Sequence, residues 1–374
     1  QQLKIRGSYG MTGKVNFPSY TAQNRFFFET DAWYTTGHAA KLDYMGNPNL
    51  EWEKTEIFDI GAELSLFHEA FYLKFIYYQK NTKDLIADMF IPSSSGFTSY
   101  KENVGCVENK GIELNVRSKL ISNKDLQLYV FVNAVHNENC LTKISNSMQT
   151  YNERVNEHFV NDPYNNDKPL LKYYEGASLT SIYGMNSLGI DPATGREYYR
   201  YQDGSTGYRW LGSENVVIGD TEPMFNGSFG FNLYYLGFTL DAYFMYEFGG
   251  EIYNNTLLDK IERADLTRNC DVRVLRDRWK EVGDVKQFKR LNSWQEPTLP
   301  TSRFVQDYNK LSLSSISLGY EFPKKLVEKI RLSRLKLQLN ASDLFTISTV
   351  KMEKGTQIFC FLSIYIISLS LLVK

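Results

Sequence analysis

Cysteine is sparse in this chain of 374 residues: Cys106, Cys140, Cys270 and Cys360 stand far apart and form no C-x-x-C pair. That spacing points to neither a zinc site nor a dense disulfide framework. Histidine is equally thin. His38, His68, His136 and His158 read as surface residues in or beside loops, not as a ligand set. An excess of charge of either sign is also missing, since 42 Lys and Arg meet 43 Asp and Glu. Without a basic stripe, nothing argues for nucleic acid. No G-x-S-x-G, H-E-x-x-H, P-loop or G-x-G-x-x-G motif occurs, so no catalytic residue, metal or cofactor is expected. A mean hydropathy of −0.38 would be wrong for a membrane protein built of helices, but an alternating barrel hides its apolar face in such an average.

Aromatic side chains are what the chain has in plenty, with 26 Tyr, 24 Phe and 5 Trp making 15% of it. Between Phe225 and Phe248 they fall into two phased runs. Phe225, Phe229, Phe231, Leu233 and Tyr235 share one parity, with Asn226, Ser228, Gly230 and Asn232 on the other. After Leu236-Gly237 the phase restarts with Phe238, Leu240, Ala242, Phe244, Tyr246 and Phe248. Side chains alternate faces along a strand, so each run has one apolar and one mostly polar face. Each is about 11 residues long, enough for a tilted strand to cross a bilayer.

The same alternation runs through 58–66, 71–77, 112–117, 126–132, 311–320 and 335–339, with a bulge expected at Ser314-Ser315. Two further strands are expected around 178–201, flanking Asp191-Pro192-Ala193-Thr194-Gly195. Short links near 68–70, 122–125, 191–195, 236–237 and 322–333 alternate with long ones near 14–50, 82–102, 138–177, 202–222 and 249–304. An up-and-down meander then gathers the short turns at one end and the long loops at the other, as in outer-membrane barrels. The expected fold class is all-β: part of an antiparallel transmembrane β-barrel of about 12 strands. A soluble, secreted, β-rich carbohydrate-binding module is the alternative, because any half-buried antiparallel sheet alternates.

Several segments carry a family likeness in a fixed order. They are Asn47-Pro48-Asn49-Leu50-Glu51-Trp52-Glu53-Lys54-Thr55, Asn103-Val104-Gly105, Asn109-Lys110-Gly111-Ile112-Glu113 and Gly189-Ile190-Asp191-Pro192-Ala193-Thr194-Gly195. Phe248-Gly249-Gly250-Glu251-Ile252-Tyr253, Asp277-Arg278-Trp279-Lys280, Ser302-Arg303-Phe304-Val305 and Asp343-Leu344-Phe345-Thr346 follow. With these the chain resembles the C-terminal half of SusC/RagA-type TonB-linked outer-membrane transporters of the Bacteroidetes. The resemblance implies a parent barrel of about 22 strands around a plug. It also implies a SusD-like surface lipoprotein as partner, energy from TonB, and an oligosaccharide or peptide as cargo. No leader precedes residues 1–13, which read as a strand in mid-stream. Residues 1–374 are therefore expected to be a fragment of the barrel, without plug or signal peptide and inactive alone. The apolar run Ile358–Val373 departs from the family pattern and reads as a degraded closing strand.

Three stretches invite a site. Tyr198, Tyr199, Tyr201, Tyr208 and Trp210 cluster around Gln202-Asp203-Gly204-Ser205, as a membrane-interface girdle or a surface for stacking substrate. Asn161–Asp167 is rich in oxygen ligands but lacks EF-hand spacing. The charge-dense stretch 259–290 reads as a solvated loop.

Overall fold

A computed structural model describes residues 1–14, 18, 20–35, 37–90, 96–97, 99–161, 168–291, 297–330, 332–350 and 363–373. After β1 (Gln2–Lys14), a hairpin of β2 (Arg25–Tyr34) and β3 (Gly37–Tyr44) stands in the link to β4 (Glu53–Leu66). β5 (Phe71–Phe90), β6 (Ser99–Ser122) and β7 (Leu126–Ile144) continue as a meander. The link 145–224 carries helix α1 (Asn146–Asn161) and the short strands β8 (Ser181–Gly184), β9 (Asn186–Ile190), β10 (Glu197–Arg200), β11 (Thr206–Gly207) and β12 (Val216–Asp220). β13 (Phe225–Tyr235) and β14 (Phe238–Tyr253) form the aromatic hairpin. The link 254–304 holds short helical turns and leads to β15 (Val305–Glu321), β16 (Leu332–Ser348) and β17 (Ser363–Val373).

Ten of these strands make one antiparallel sheet in the order β1-β4-β5-β6-β7-β13-β14-β15-β16-β17. Its short turns line one rim. The amide of Lys119 donates to Ala70 O (2.7 Å), that of Leu236 to Asp125 O (3.0 Å), and that of Glu321 to Gly237 O (2.8 Å). The hairpin closes through Leu236-Gly237, with Tyr235 paired to Phe238 and both turn residues at positive φ, +47° and +95°. That is the two-residue turn whose twist suits adjoining strands.

Cross-strand register explains why the sheet wants two different solvents. One row reads Leu3, Leu64, Leu73, Val116, Val132, Phe229, Phe244, Leu313 and Phe345, nine strands wide and wholly apolar. The next row reads Lys4, Glu63, Lys74, Asn115, Asn133, Ser228, Met245, Ser312 and Thr346. Its side chains point to the opposite face. There they hydrogen-bond laterally, Asn115 to Asn133 and Asn133 to Ser228 (2.9 Å). This polar face encloses a trough of about 970 Å³ lined by Lys74, Glu113, Arg117 and Lys119 among others. Among the described residues the apolar face carries no second layer: Phe58, Ile60, Phe75, Val132, Phe238 and Leu318 are all exposed. Buried cores lie instead at the strand ends and among the long links: Met89 on β5 and Val104 on β6 meet Met148 of α1. A further core joins Ile182, Tyr253, Leu258, Ile261, Val274, Phe288 and Phe304; another joins Val155, Phe159 and Leu299.

Four expectations change. Among the described residues the sheet has ten strands, not about 12, because the segments around 178–201 enter two small sheets, β11-β10-β9 and β12-β8, outside it. With four or five residues each they are too short to span a bilayer, which takes about 9–11. The turn 191–195 therefore belongs to a long link, and the long–short alternation survives as 145–224 merges into one insertion. The stretch 259–290 is not simply solvated, since Ile261, Glu262, Val274, Arg278, Phe288 and Lys289 are buried in it. Of the histidines, His38 lies on β3, His136 on β7 and His158 on α1, leaving only His68 in a turn. The bulge sits where expected: Leu313 and Ser315 both pair across to β14 while Ser314 is skipped. At the C-terminal end, residues 363–373 pair with β16 as a strand, Ser342 with Ser363 through to Leu332 with Val373.

Candidate functional site

The motif Asp191–Gly195 builds a rigid corner in the insertion 145–224. One Asp191 carboxylate oxygen accepts the Ala193 amide (3.0 Å), and the other accepts the hydroxyls of Thr194 (2.7 Å) and Tyr208 (2.7 Å). These donors, the Ala193 amide foremost, hold the Asp191 carboxyl below the usual carboxylate range. Gly195, at φ +69°, has the ring of Trp279 packed where a Cβ would stand. That indole donates to Pro192 O (2.9 Å). Through this contact the two long insertions are fastened together.

From this corner β10 runs with its residues alternating in burial. Glu197 and Tyr199 turn inward and are buried, while Tyr198 is half-buried and packs toward Tyr208, with ring centroids 6.5 Å apart. Tyr199, Tyr201, Tyr208 and Trp210 come together on a cavity of about 470 Å³, whose wall also contains Arg196, Glu197, Arg209 and Lys289. Tyr198 is the member of the five that does not line it. None of the five lies on the ten-stranded sheet, so they do not sit on the strands where a girdle forms. Their rings are fixed from behind: the Trp210 N–H donates to Pro300 O (3.0 Å) and the ring packs on Phe159, while the Tyr201 hydroxyl donates to Arg209 O (2.9 Å). The Arg196 guanidinium stands over the Tyr208 ring at 5.2 Å.

Beneath the cavity lies a charge cluster that the sequence did not disclose. Arg303, just before β15, donates to Glu197 (2.9 and 3.2 Å) and to Glu262 (2.8 and 3.2 Å), and gives a further N–H to Gln287 O (2.8 Å). Both carboxylate side chains are 1% exposed. Burial opposes ionisation of Glu197, yet Arg303 outweighs it and its pKa is lowered. The same burial, with the Glu197 charge, pushes the Tyr199 hydroxyl well up, so it stays protonated. Nearby, Arg278 donates to Lys289 O (3.0 Å) and to the carbonyls of Ile261 and Glu262. It thereby closes the helical turn Leu258–Glu262, whose last carbonyls would otherwise be orphaned. Ser302-Arg303-Phe304-Val305 and Asp277-Arg278-Trp279-Lys280 stand out as motifs, but two carboxylates from separate insertions meeting one arginine leave no local pattern.

Among the described residues, no group of three or more His, Cys, Asp or Glu is arranged to hold a metal. The oxygen-rich loop Asn161–Asp167 falls, beyond its first residue, outside the described residues.

Residues 1–341 match the family described as "TonB dependent receptor-like, beta-barrel". The chain belongs to this family. It is 27% identical over 362 residues to TonB-dependent receptor P3 of Formosa agariphila, covering 92% of this chain and 34% of that protein. Over 153 residues, 38% of this chain and 15% of the relative, it is 28% identical to TonB-dependent receptor SusC of Bacteroides thetaiotaomicron. Among solved structures it superposes on the RagAB peptide transporter with a TM-score of 0.76 at 23% identity, covering 94% of this chain and 38% of that one. At that identity the likeness establishes the fold: an antiparallel outer-membrane-type barrel, of which this chain builds part. The chain spans about a third of the length of the curated relatives that match it along most of its length.

Proposed function

We propose that this chain is the C-terminal part of the barrel of a TonB-dependent importer in the outer membrane, carrying an oligosaccharide or a peptide inward. The observation that carries the reading is the apolar row nine strands wide beside a polar one, in a chain of this family. A soluble module would have to cover that row with a second layer, whereas hydrocarbon covers it without one. Short turns then face the periplasm and the long links face outward. The aromatic cavity lies in those outward links, where cargo first arrives, and a SusD-like lipoprotein is the partner that closes over them. TonB engages a part of the protein outside these 374 residues. Among the described residues β1 pairs only with β4 and β17 only with β16; because open edges are not tolerated in lipid, the segment alone is not expected to transport.

Membrane fractionation of the full-length protein tests this. Recovery in the outer-membrane fraction, with a folded band that shifts on heating, is expected. A protein recovered in the soluble fraction without detergent would overturn the proposal.

A further inference from the structure

The geometry points to a cargo class: the cavity on the outward links is a subsite for an acidic oligosaccharide, one that carries carboxylate or sulfate groups. This deepens the importer reading and rests on it.

Charge is the first ground. Arg196, Arg209 and Lys289 stand in the wall, and the one acid beside them, Glu197, is held by Arg303 at 2.9 and 3.2 Å. Glu197 thus leans on Arg303 below, while its charge also faces Lys289 in the wall. The nearby carboxylates stand outside the lining: Asp191 accepts from its own turn and from Tyr208, and Glu214 from the Gln202 amide (2.8 Å). An anionic group entering the cavity thus meets a positive balance in a partly enclosed space, where charge-assisted hydrogen bonds are strong.

Shape is the second. Tyr201, Tyr208 and Trp210 bring their rings to the wall, held in place by bonds to Arg209 O, Asp191 and Pro300 O. Pre-fixed rings bind without losing rotamer freedom. Flat aromatic faces suit the C–H faces of a pyranose, and guanidinium edges suit its acidic substituent. Strand addition, one of the ways an extended peptide is read, is closed at β10. Here β10 is already paired on both sides, by β9 and β11. The volume of about 470 Å³ lies within the usual range for small-ligand sites, about 300–1,000 Å³.

The test uses the full-length protein in detergent. Calorimetry measures binding of defined oligomers of galacturonate, glucuronate, mannuronate and sulfated galactose, each beside its methyl-esterified or desulfated counterpart. At least one acidic probe is expected to bind tenfold or more tightly than its neutral counterpart. Arg209→Gln is expected to remove most of that preference and leave neutral binding within twofold, while Tyr201→Ala weakens both. Neutral probes bound equally well, no acidic probe bound, or an unchanged preference in R209Q would each overturn the inference. TonB-dependent uptake into cells, measured in parallel with neutral glycans and peptides, separates the two claims. Energised uptake without an acidic preference sinks the cargo class alone, and no energised uptake of any cargo sinks the importer reading.

Discussion

Replacing Arg303 by Met should unfasten the two outward insertions while leaving the sheet intact. Arg303 holds Glu197 and Glu262 by four N–H···O contacts, and both carboxylates are 1% exposed. Methionine fills much of the same volume but leaves two buried carboxylates without a counter-charge. Breaking one buried pair typically costs about 3–5 kcal/mol. At about 1.4 kcal/mol per factor of ten, that multiplies the open population of the module by about two to four powers of ten. Hydrogen exchange followed by mass spectrometry on the detergent-solubilised protein reads this directly. Amides of 197–200, 258–263 and 287–289 should lose protection by that factor, and those of β13 and β14 should not. Because the defect is stranded charge, E197Q and E262Q combined with R303M should recover much of the loss. Acid should imitate the mutation. Glu197 is held below its ordinary value, so its contribution is complete at neutral pH and fades as pH falls below the unfolded value of about 4.3 toward the lowered one. Unchanged protection in R303M, or a triple variant no better than the single, would refute the reasoning.

Further outcomes follow from the same geometry. Phe244→Arg on the apolar row should cost about 2–4 kcal/mol of folding stability in vesicles at mid-bilayer depth, whereas Met245→Arg, one residue on and facing the polar trough, should cost far less. Equal costs in urea titrations would show the faces to be misassigned. Leu236→Asn should stabilise the hairpin by about 1 kcal/mol, because Leu236 sits at φ +47°, where an L-residue other than Asn or Asp is penalised; a lowered unfolding midpoint would contradict this. Lys172 is 1% exposed, and burial lowers its pKa to about 8. Lys172→Met should therefore raise the melting temperature at pH 7. The gap should close between about pH 8 and 10.5, where the unfolded lysine keeps a proton that the folded one has released. A gap that persists at pH 10.5 would rule out charge burial as the cause.

Much of the sheet was legible in one dimension. Phe225–Phe248 announced its turn and both faces because alternation, residue by residue, is what a two-solvent strand requires. The bulge at Ser314 showed as a slip of phase, and within the run Ile358–Val373 the described part, Ser363–Val373, was readable as a strand. The insertions were harder. Residues 181–184 are buried on both faces, so alternation was no guide to whether they joined the barrel. The charges of 259–290 look solvated because a solvated residue and one paired across 41 positions, as Glu262 is to Arg303, have the same letters.

By itself, then, the sequence determined the family, the strand period, the polarity of each face and which links are long, because those properties are local and repeat along the chain. Tertiary structure alone decided that four aromatics of 199–210 share a cavity, and that Arg303 reaches Glu197 and Glu262. Those contacts join two insertions that a single line of residues keeps far apart. Only folding brings their charges close enough, in a dry enough place, for each to set the state of the other.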